Sequence, residues 1–554
     1  MIPDPNPSHQ PSDAASAAAT DPAGDADRYD VVVIGGAVSG AGTALLIRRF
    51  HPQARILVVE ALESFPRKVG EATVEVSAYF LQQVLGQDAN LARDHLPKHG
   101  LRFWFGAEGE DLAEMTEIGG SDDGPVPSFQ IDRSRLDESV LDTARGAGCE
   151  ILRPAEVTAW EEGWPESRVT VESADGQRRV RCRWLVDASG RHAFVARRKR
   201  LLERVEEHPT AAHWSRWRGV PDLDDRGFLN LPPPGSARRR LATNHFCGYG
   251  WWIWMIPLGN GDTSIGLVHD KRLFELPGEG PREERYLAFV RSRPGLDQML
   301  AGAEPVEGDY NAYRHLPYVS RRYMEPGWAL VGDAAAFLDP FYSPGLDHAA
   351  MSSYATARLL AAELSGELAE SGGGGAAREG ALEERIALHN GNFERSYHRW
   401  LRALYQGKYE IFGDAELTAC AYLVDTALYY LGIVQPVYKD RETLANPAFG
   451  LESRSSTVAF RVMRLFNRRL NRIARYRRAS GRYGRKNSGW RKLGRPPGLG
   501  AAVVPMLVSG FALWAKLEVG HLWRRRVVDR LRPGRRARRA RSTDLSQPVP
   551  AAGT

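Results

Sequence analysis

The pattern of apolar and polar positions divides the chain unevenly. Residues 1–28 are rich in Ala, Asp, Pro and Ser, show no periodicity, and predict a disordered segment. Order begins abruptly at Tyr29. An apolar, β-branched run, Asp30-Val-Val-Val-Ile34, meets glycines at 35, 36 and 40, and helical spacing continues through Ala41–Phe50. A second apolar run, Ile56–Val59, ends at Glu60. Short apolar runs flanking an amphipathic helix predict a β-α-β unit with parallel strands. Later segments return to that layer: Ser128–Arg133 leading into a helix at Arg135–Ala147, a strand at Val180–Val186, another at Gly327–Val331, and a long helix at His348–Glu367. Between about 205 and 320 the pattern alternates and is dense in aromatics, Phe246 and Trp251–Trp254 among them, which predicts an antiparallel sheet. Ser371–Gly380 reads as a Gly/Ala-rich loop and 383–440 as helical. The expected units are therefore 29–204 and 321–370 for the parallel layer, 205–320 for the inserted sheet, 371–495 for a helical region and 496–554 for a tail.

Composition narrows this picture in two places. Four cysteines lie far apart with no CxxC pair, so neither a disulfide framework nor a metal site is expected, and a reducing cytoplasm is the expected compartment. No basic segment followed by an apolar core opens the chain, so no export signal is expected. Charge is split. Residues 454–541 carry 26 Lys and Arg against Glu518 and Asp529, about +24 within a chain of net +6, leaving an acidic body. Residues 496–515 are uncharged but interrupted by Pro505, Ser509 and Gly510. An apolar stretch beside a polybasic one fits a peripheral anchor on an anionic inner-membrane surface. A helix packed on the body and a solvated basic tail are the alternatives, and nucleic acid is the less favoured partner.

The chemistry starts at the glycine turn. A strand, a tight turn at Gly35 and a helix opening at its end place backbone N–H groups where a pyrophosphate binds, and Gly40 allows the helix to pack on the strand. Ala37 takes the middle glycine's place in GxGxxG, after Gly36, which narrows the phosphate approach without closing it. Glu60 stands where the adenosine ribose donates. Three further segments follow in order: Gln130-Ile-Asp-Arg133, Leu185-Val-Asp187-Ala-Ser-Gly190, and Val331-Gly332-Asp333-Ala-Ala335. Together they resemble the fingerprints of FAD-dependent aromatic hydroxylases and halogenases over residues 30–360. The resemblance implies a glutathione-reductase-like, FAD-binding Rossmann domain with an inserted antiparallel β substrate domain and a mostly helical C-terminal region. It also implies that Arg133 lies near the flavin and that Asp333 meets its ribityl chain.

Two more motifs resemble flavin-dependent halogenases in particular. Trp252-Ile-Trp254-Met-Ile-Pro257 matches W-x-W-x-I-P, with both tryptophans on one face of a strand. Lys68-Val-Gly-Glu71-Ala-Thr73 is similar to the strap between the flavin and halide sites. Such an enzyme oxidises a halide co-substrate through a flavin hydroperoxide and passes the oxidised halogen, by way of a lysine, to an aromatic or electron-rich small molecule. Reduced FAD would come from a separate flavin reductase. Lys68 is the candidate lysine, with Glu71, Trp252 and Trp254 as the other catalytic candidates. Departures are visible: Val74–Gly86 contains no lysine and Glu75 replaces the strap's proline. In the segment Ser343, Pro344, Gly345, Leu346, where a halide cradle is expected, Pro344 has no N–H, and Tyr342 replaces a glutamate. A flavin monooxygenase or dehydrogenase without halide chemistry is the alternative, and a flavin-containing membrane- or nucleic-acid-associated binding protein is the alternative from another class.

Overall fold

The computed structural model describes residues 27–107, 109–225, 235–370 and 375–528. The disorder expected for 1–28 falls almost wholly outside them, as does the sequence after Val528. A mixed sheet forms one layer, its strands ordered Met324–Glu325, Trp328–Leu330, Gly176–Asp187, Arg28–Ile34, Ile56–Val59 and Glu150–Leu152. Four neighbouring pairs in this row are parallel, and only the Met324–Glu325 edge is antiparallel. Parallel strands need both faces covered, so Val31, Val32 and Val33, and Leu57 and Val58, are fully buried. Helix α1 (Val38–Phe50) packs against α2 (Gly345–Leu364) over this layer.

A second, mostly antiparallel sheet of nine strands carries the aromatic segments Thr210–Arg218, Thr243–Gly248, Trp251–Pro257 and Thr263–Asp270. It is not confined to 205–320. Leu101–Phe105 and Thr116–Gly120 join it from the first part of the chain, and Arg491–Gly494 pairs on its edge from the C-terminal part. The alternation along 101–105 is hidden because all five residues, Arg102 included, are buried. The guanidinium of Arg102 and that of Arg239 share the carboxylate of Glu117, which is what lets a charged residue occupy a core strand.

Helices dominate the rest: α3 (Ala415–Tyr429), α4 (Arg454–Ala479) and α5 (Val504–Trp523), preceded by a helix over Gly375–Trp400. That last helix corrects the loop expected through Gly380. Its glycines are outnumbered by good helix formers in Gly375-Ala-Ala-Arg-Glu-Gly-Ala-Leu-Glu-Glu384, and propensity summed over the window wins. All four cysteines are free and buried.

Candidate active site

The glycine turn is tight for stereochemical reasons. Gly35 has φ +93°, and a Cβ there would lie 2.6 Å from the carbonyl oxygen of Ala188; a Cβ on Gly40 would lie 1.8 Å from the Gly35 oxygen. The helix that follows begins at Val38, and its cap residue Ala37 has no side-chain acceptor to offer; beyond the Val38 N–H, which Asp137 takes, the N–H groups of the first turn are left for an anion. Glu60 accepts from the backbone N–H of Gly36 (2.7 Å) and of Leu62 (2.9 Å), which holds its carboxylate at the turn. Asp137, which the sequence did not single out, is the hub here. Its buried carboxylate accepts from Val38 N (3.2 Å), from Arg133 (3.0 Å) and from Lys68 Nζ (2.7 Å), and these cations hold it below the usual carboxylate range against the effect of burial.

The other fingerprints converge on the same turn. Gly332 has φ +58°, its position leaves room only for hydrogen beside Ser39 Oγ, and its N–H donates to Ser352 Oγ. Asp333 follows it. Its half-buried carboxylate has no side-chain hydrogen-bond partner among the described residues, and burial raises its pKa while Arg191, Arg133 and Lys68 oppose the rise. Asp187 is used differently. Both its oxygens are engaged in its own turn, by Ser189 N (3.0 Å), Ser189 Oγ (2.6 Å) and Val195 N (2.7 Å), so it fixes the loop that carries Gly190 and does not reach outward. A helix start with free N–H groups, beside which Gly332 brings the unpartnered carboxylate of Asp333, suits a flavin dinucleotide.

From Asp333 a cavity of 810 Å3 runs away from this turn, between the strap, α2 and the C-terminal helices. Its lining is mainly apolar and aromatic, and its ionisable groups include Glu75, Lys98 and Asp347 besides Asp333, Asp339 and Asp425. Lys98 is only 2% exposed. Its backbone is clamped to Ser128 by two hydrogen bonds, and Nζ donates to the strap carbonyl of Thr73 at 2.6 Å. Burial brings its pKa down to about 8, with Glu75 and Asp347 resisting the fall. Asp347 accepts from Ser77 N (2.8 Å) and Tyr429 OH (2.8 Å), yet burial pushes it up to about 7. Glu75 accepts from Tyr430 OH (2.8 Å) and is raised by burial as well. An ammonium has three donors. Two of those on Lys98 remain for whatever enters the cavity.

The structure thus separates two lysines. Lys68, at 36% side-chain exposure, is tied to Asp137 at the nucleotide turn and does not line the cavity, because the chain turns away between Gly70 and Thr73 to pair with Phe129–Gln130. Lys98, in contrast, lines the cavity. Its signal in the sequence is a lysine three residues before an apolar strand, Pro97-Lys98-His99-Gly100-Leu101, well beyond Val74–Gly86. Glu71 faces the second sheet, where Arg216 donates to it (2.9 Å) and also pairs with Asp309, so it fastens the strap instead of entering the cavity. Trp252 and Trp254 share a face, their rings 5.9 Å apart, while Ile253 and Met255 join the core on the opposite face. They stand one layer behind the cavity: Trp252 Nε1 donates to Tyr409 OH, and Tyr409 donates to Asp339, which also pairs with His208. Asp339 opens the loop in which Tyr342 (φ +70°) and Ser343 (φ +56°) are both left-handed, and which ends with Pro344 as the cap of α2. Pro344 and Gly345 line the cavity, Leu346 is buried, and Tyr342 OH donates to Asp425.

Comparison with known proteins agrees with this geometry. Residues 28–224 match the family described as FAD binding domain. The chain is 26% identical over 375 residues to flavin-dependent halogenase chlA of Dictyostelium discoideum, covering 61% of each chain. It is 28% identical over 356 residues to tetracycline 7-halogenase of Kitasatospora aureofaciens, covering 58% of this chain and 61% of that one. The aligned part is thus less than two thirds of either relative. The solved structure of halogenase PltM with phloroglucinol and FAD superimposes with TM-score 0.65 at 17% identity, over 89% of this chain and 96% of that one, which shows a shared fold. The chain is therefore a flavoprotein built on an FAD-binding domain. The curated relatives it resembles over that domain and beyond are flavin-dependent halogenases.

Proposed function

We propose that this flavoprotein is an FADH2-dependent halogenase of an aromatic or electron-rich small molecule, on a glutathione-reductase-like scaffold whose second sheet backs the substrate cavity. One observation carries the reading: a buried, strap-anchored ammonium, Lys98, faces a large aromatic cavity that begins at the flavin-side carboxylate Asp333. FAD would be held by the turn at Gly35, Gly36, Ala37 and Gly40, by Glu60, Arg133 and Gly332, and by Asp333. When bound and reduced, it supplies with O2 the two-electron oxidant that turns halide into hypohalous acid. The protein's part is then positional. Lys98 Nζ donates to the hypohalous oxygen and aims the halogen at the substrate ring, in a site where weak screening makes the cation's field strong. Substitution breaks the O–halogen bond and replaces an aryl C–H by C–halogen; the ring proton passes by way of Asp347 or Glu75, two carboxylates on the cavity, to the departing hydroxide, which leaves as water. Glu71, Trp252 and Trp254 keep the strap and the cavity's rear wall rigid. A separate flavin reductase in the cytoplasm would supply FADH2.

The test is aerobic incubation with FAD, a flavin reductase, NADH, bromide and electron-rich phenols, read by product mass and isotope pattern. Lys98→Ala is expected to abolish brominated product while flavin reoxidation continues, and Lys68→Ala to keep the product pattern with weaker FAD retention. Brominated product from Lys98→Ala overturns the assignment. Pro344 favours a second reading. The cradle lacks one N–H donor, so a halide-independent, hydroxylated product from the wild type would make the protein a monooxygenase on the same scaffold.

A further inference from the structure

Helix α5 is apolar on both sides. One side packs on the body: Gly510 lies so close to α3 that a Cβ would meet Val424 at 2.7 Å, Leu517 is buried, and Glu518 pairs with Arg469 of α4. The other side exposes Val504, Val508, Ala512, Ala515, Val519 and Leu522, spaced by three or four residues and so forming one stripe along 20 residues. Val508 is 61% and Val519 66% exposed. Lys516, with 74% of its side chain exposed, flanks this stripe, and among the described residues nothing covers the stripe itself. The stripe ends at Trp523, 55% exposed, followed by Arg524–Arg526.

Helix α4 repeats the mixture. Its exposed residues Val458, Val462 and Leu465 share a face with Arg461, Arg468 and Arg472, and these arginines make no ion pair among the described residues. Aliphatic side chains interleaved with unpaired arginines, with a tryptophan at the boundary, match the depth profile of a bilayer: acyl chains below, anionic head groups at the level of long cationic side chains. The sequence after Val528 adds seven more arginines as far as Arg541.

We propose that α4 and α5 dock the protein on an anionic lipid surface, with α5 lying along the interface. The geometry adds a consequence. Val462 belongs to the docking face and also lines the cavity, whose rim includes the exposed Leu431 and Leu451. The cavity therefore opens at the membrane, and its substrate is a lipophilic aromatic that enters from the bilayer. This second step rests on the reading of the cavity as a substrate site; the docking does not.

The test uses full-length, FAD-loaded protein and co-sedimentation with vesicles of phosphatidylcholine alone or with phosphatidylglycerol in equal parts. No halide, reductant or substrate is present, so failure of the halogenation reading leaves this result untouched. Wild type should bind the anionic vesicles at least about tenfold more tightly than the neutral ones, and the preference should fade as salt rises. Val508→Glu with Val519→Glu should weaken binding roughly tenfold at unchanged FAD content and circular dichroism. The triple variant Arg461→Gln, Arg468→Gln, Arg472→Gln should lose the anionic preference. Absence of vesicle binding by the wild type overturns the proposal, as does full binding by the glutamate variant. So does a dimer that the glutamate variant dissolves, since a second copy would then cover the stripe, or tighter binding to duplex DNA than to vesicles.

Discussion

Asp333 and Asp347 are both carboxylates on the cavity, and their partners give them opposite duties. Asp333 has no side-chain hydrogen bond among the described residues and sits near three cations, so it is poised to take a hydroxyl donor from a ligand. Asp333→Ala should weaken FAD retention about ten- to a hundredfold, the equivalent of one charge-assisted hydrogen bond of ~1.5–3 kcal/mol, measured by flavin fluorescence titration. Unchanged affinity would remove Asp333 from the ribityl contact. Asp347 is satisfied but badly solvated, and its pKa of about 7 makes it a stability element. Below its ordinary 3.8 both the folded and unfolded states hold the proton. Between 3.8 and about 7 only the folded state does, so stability falls as pH rises through that window, and above it the full penalty remains. Asp347→Asn should flatten this slope and raise stability at pH 8 by a few kcal/mol at most, on the order of the 1.36 kcal/mol that each pKa unit represents. Denaturant titrations of both proteins across the window provide the measurement, and equal slopes would refute it.

Elements differ in how much of them a sequence can declare. The β-α-β unit was legible almost to the residue, because steric rules at Gly35 and Gly40 and the need to bury a parallel strand on both faces leave few alternatives. The strand Ile56–Val59 and the tryptophan pair followed from periodicity alone. The second sheet's reach back to Leu101–Phe105 was not legible, since a strand buried throughout has no alternation, and neither was Lys98, whose meaning depends on that strand. Within Lys68–Thr73, Lys68 pairs with Asp137 and Glu71 with Arg216, and neither lines the cavity. Glu71 acts through Arg216, so Arg216→Met should leave an uncompensated buried carboxylate and cost about 3–5 kcal/mol in an urea melt. Pairing it with Glu71→Leu should restore most of that loss, since the charge then disappears with its partner. If the double variant is as unstable as Arg216→Met, the pair does not act as a clamp.

At the scale of the whole molecule, the two sheets and the helical region meet around one cavity, and what the protein keeps away from that cavity matters as much as what lines it. Hypohalous acid attacks sulfur in preference to most other protein groups, and the thiolate is the reactive form. Every cysteine here is buried, and none lines the cavity. Burial lifts Cys149 to about 11 and Cys182 to about 12, and raises Cys247 and Cys420 as well, so all four stay protonated at neutral pH. The folded protein should give no thiol signal with Ellman's reagent, and the denatured chain four equivalents. A thiol that titrates in the native state would contradict the burial. Wild type turning over bromide should likewise outlast a variant carrying Ala459→Cys at the cavity rim. Under the proposed chemistry, the sulfur that the oxidant meets is the thioether of Met351 and of Met463, both on the cavity wall, and their conversion to sulfoxide sets how many turnovers one chain survives.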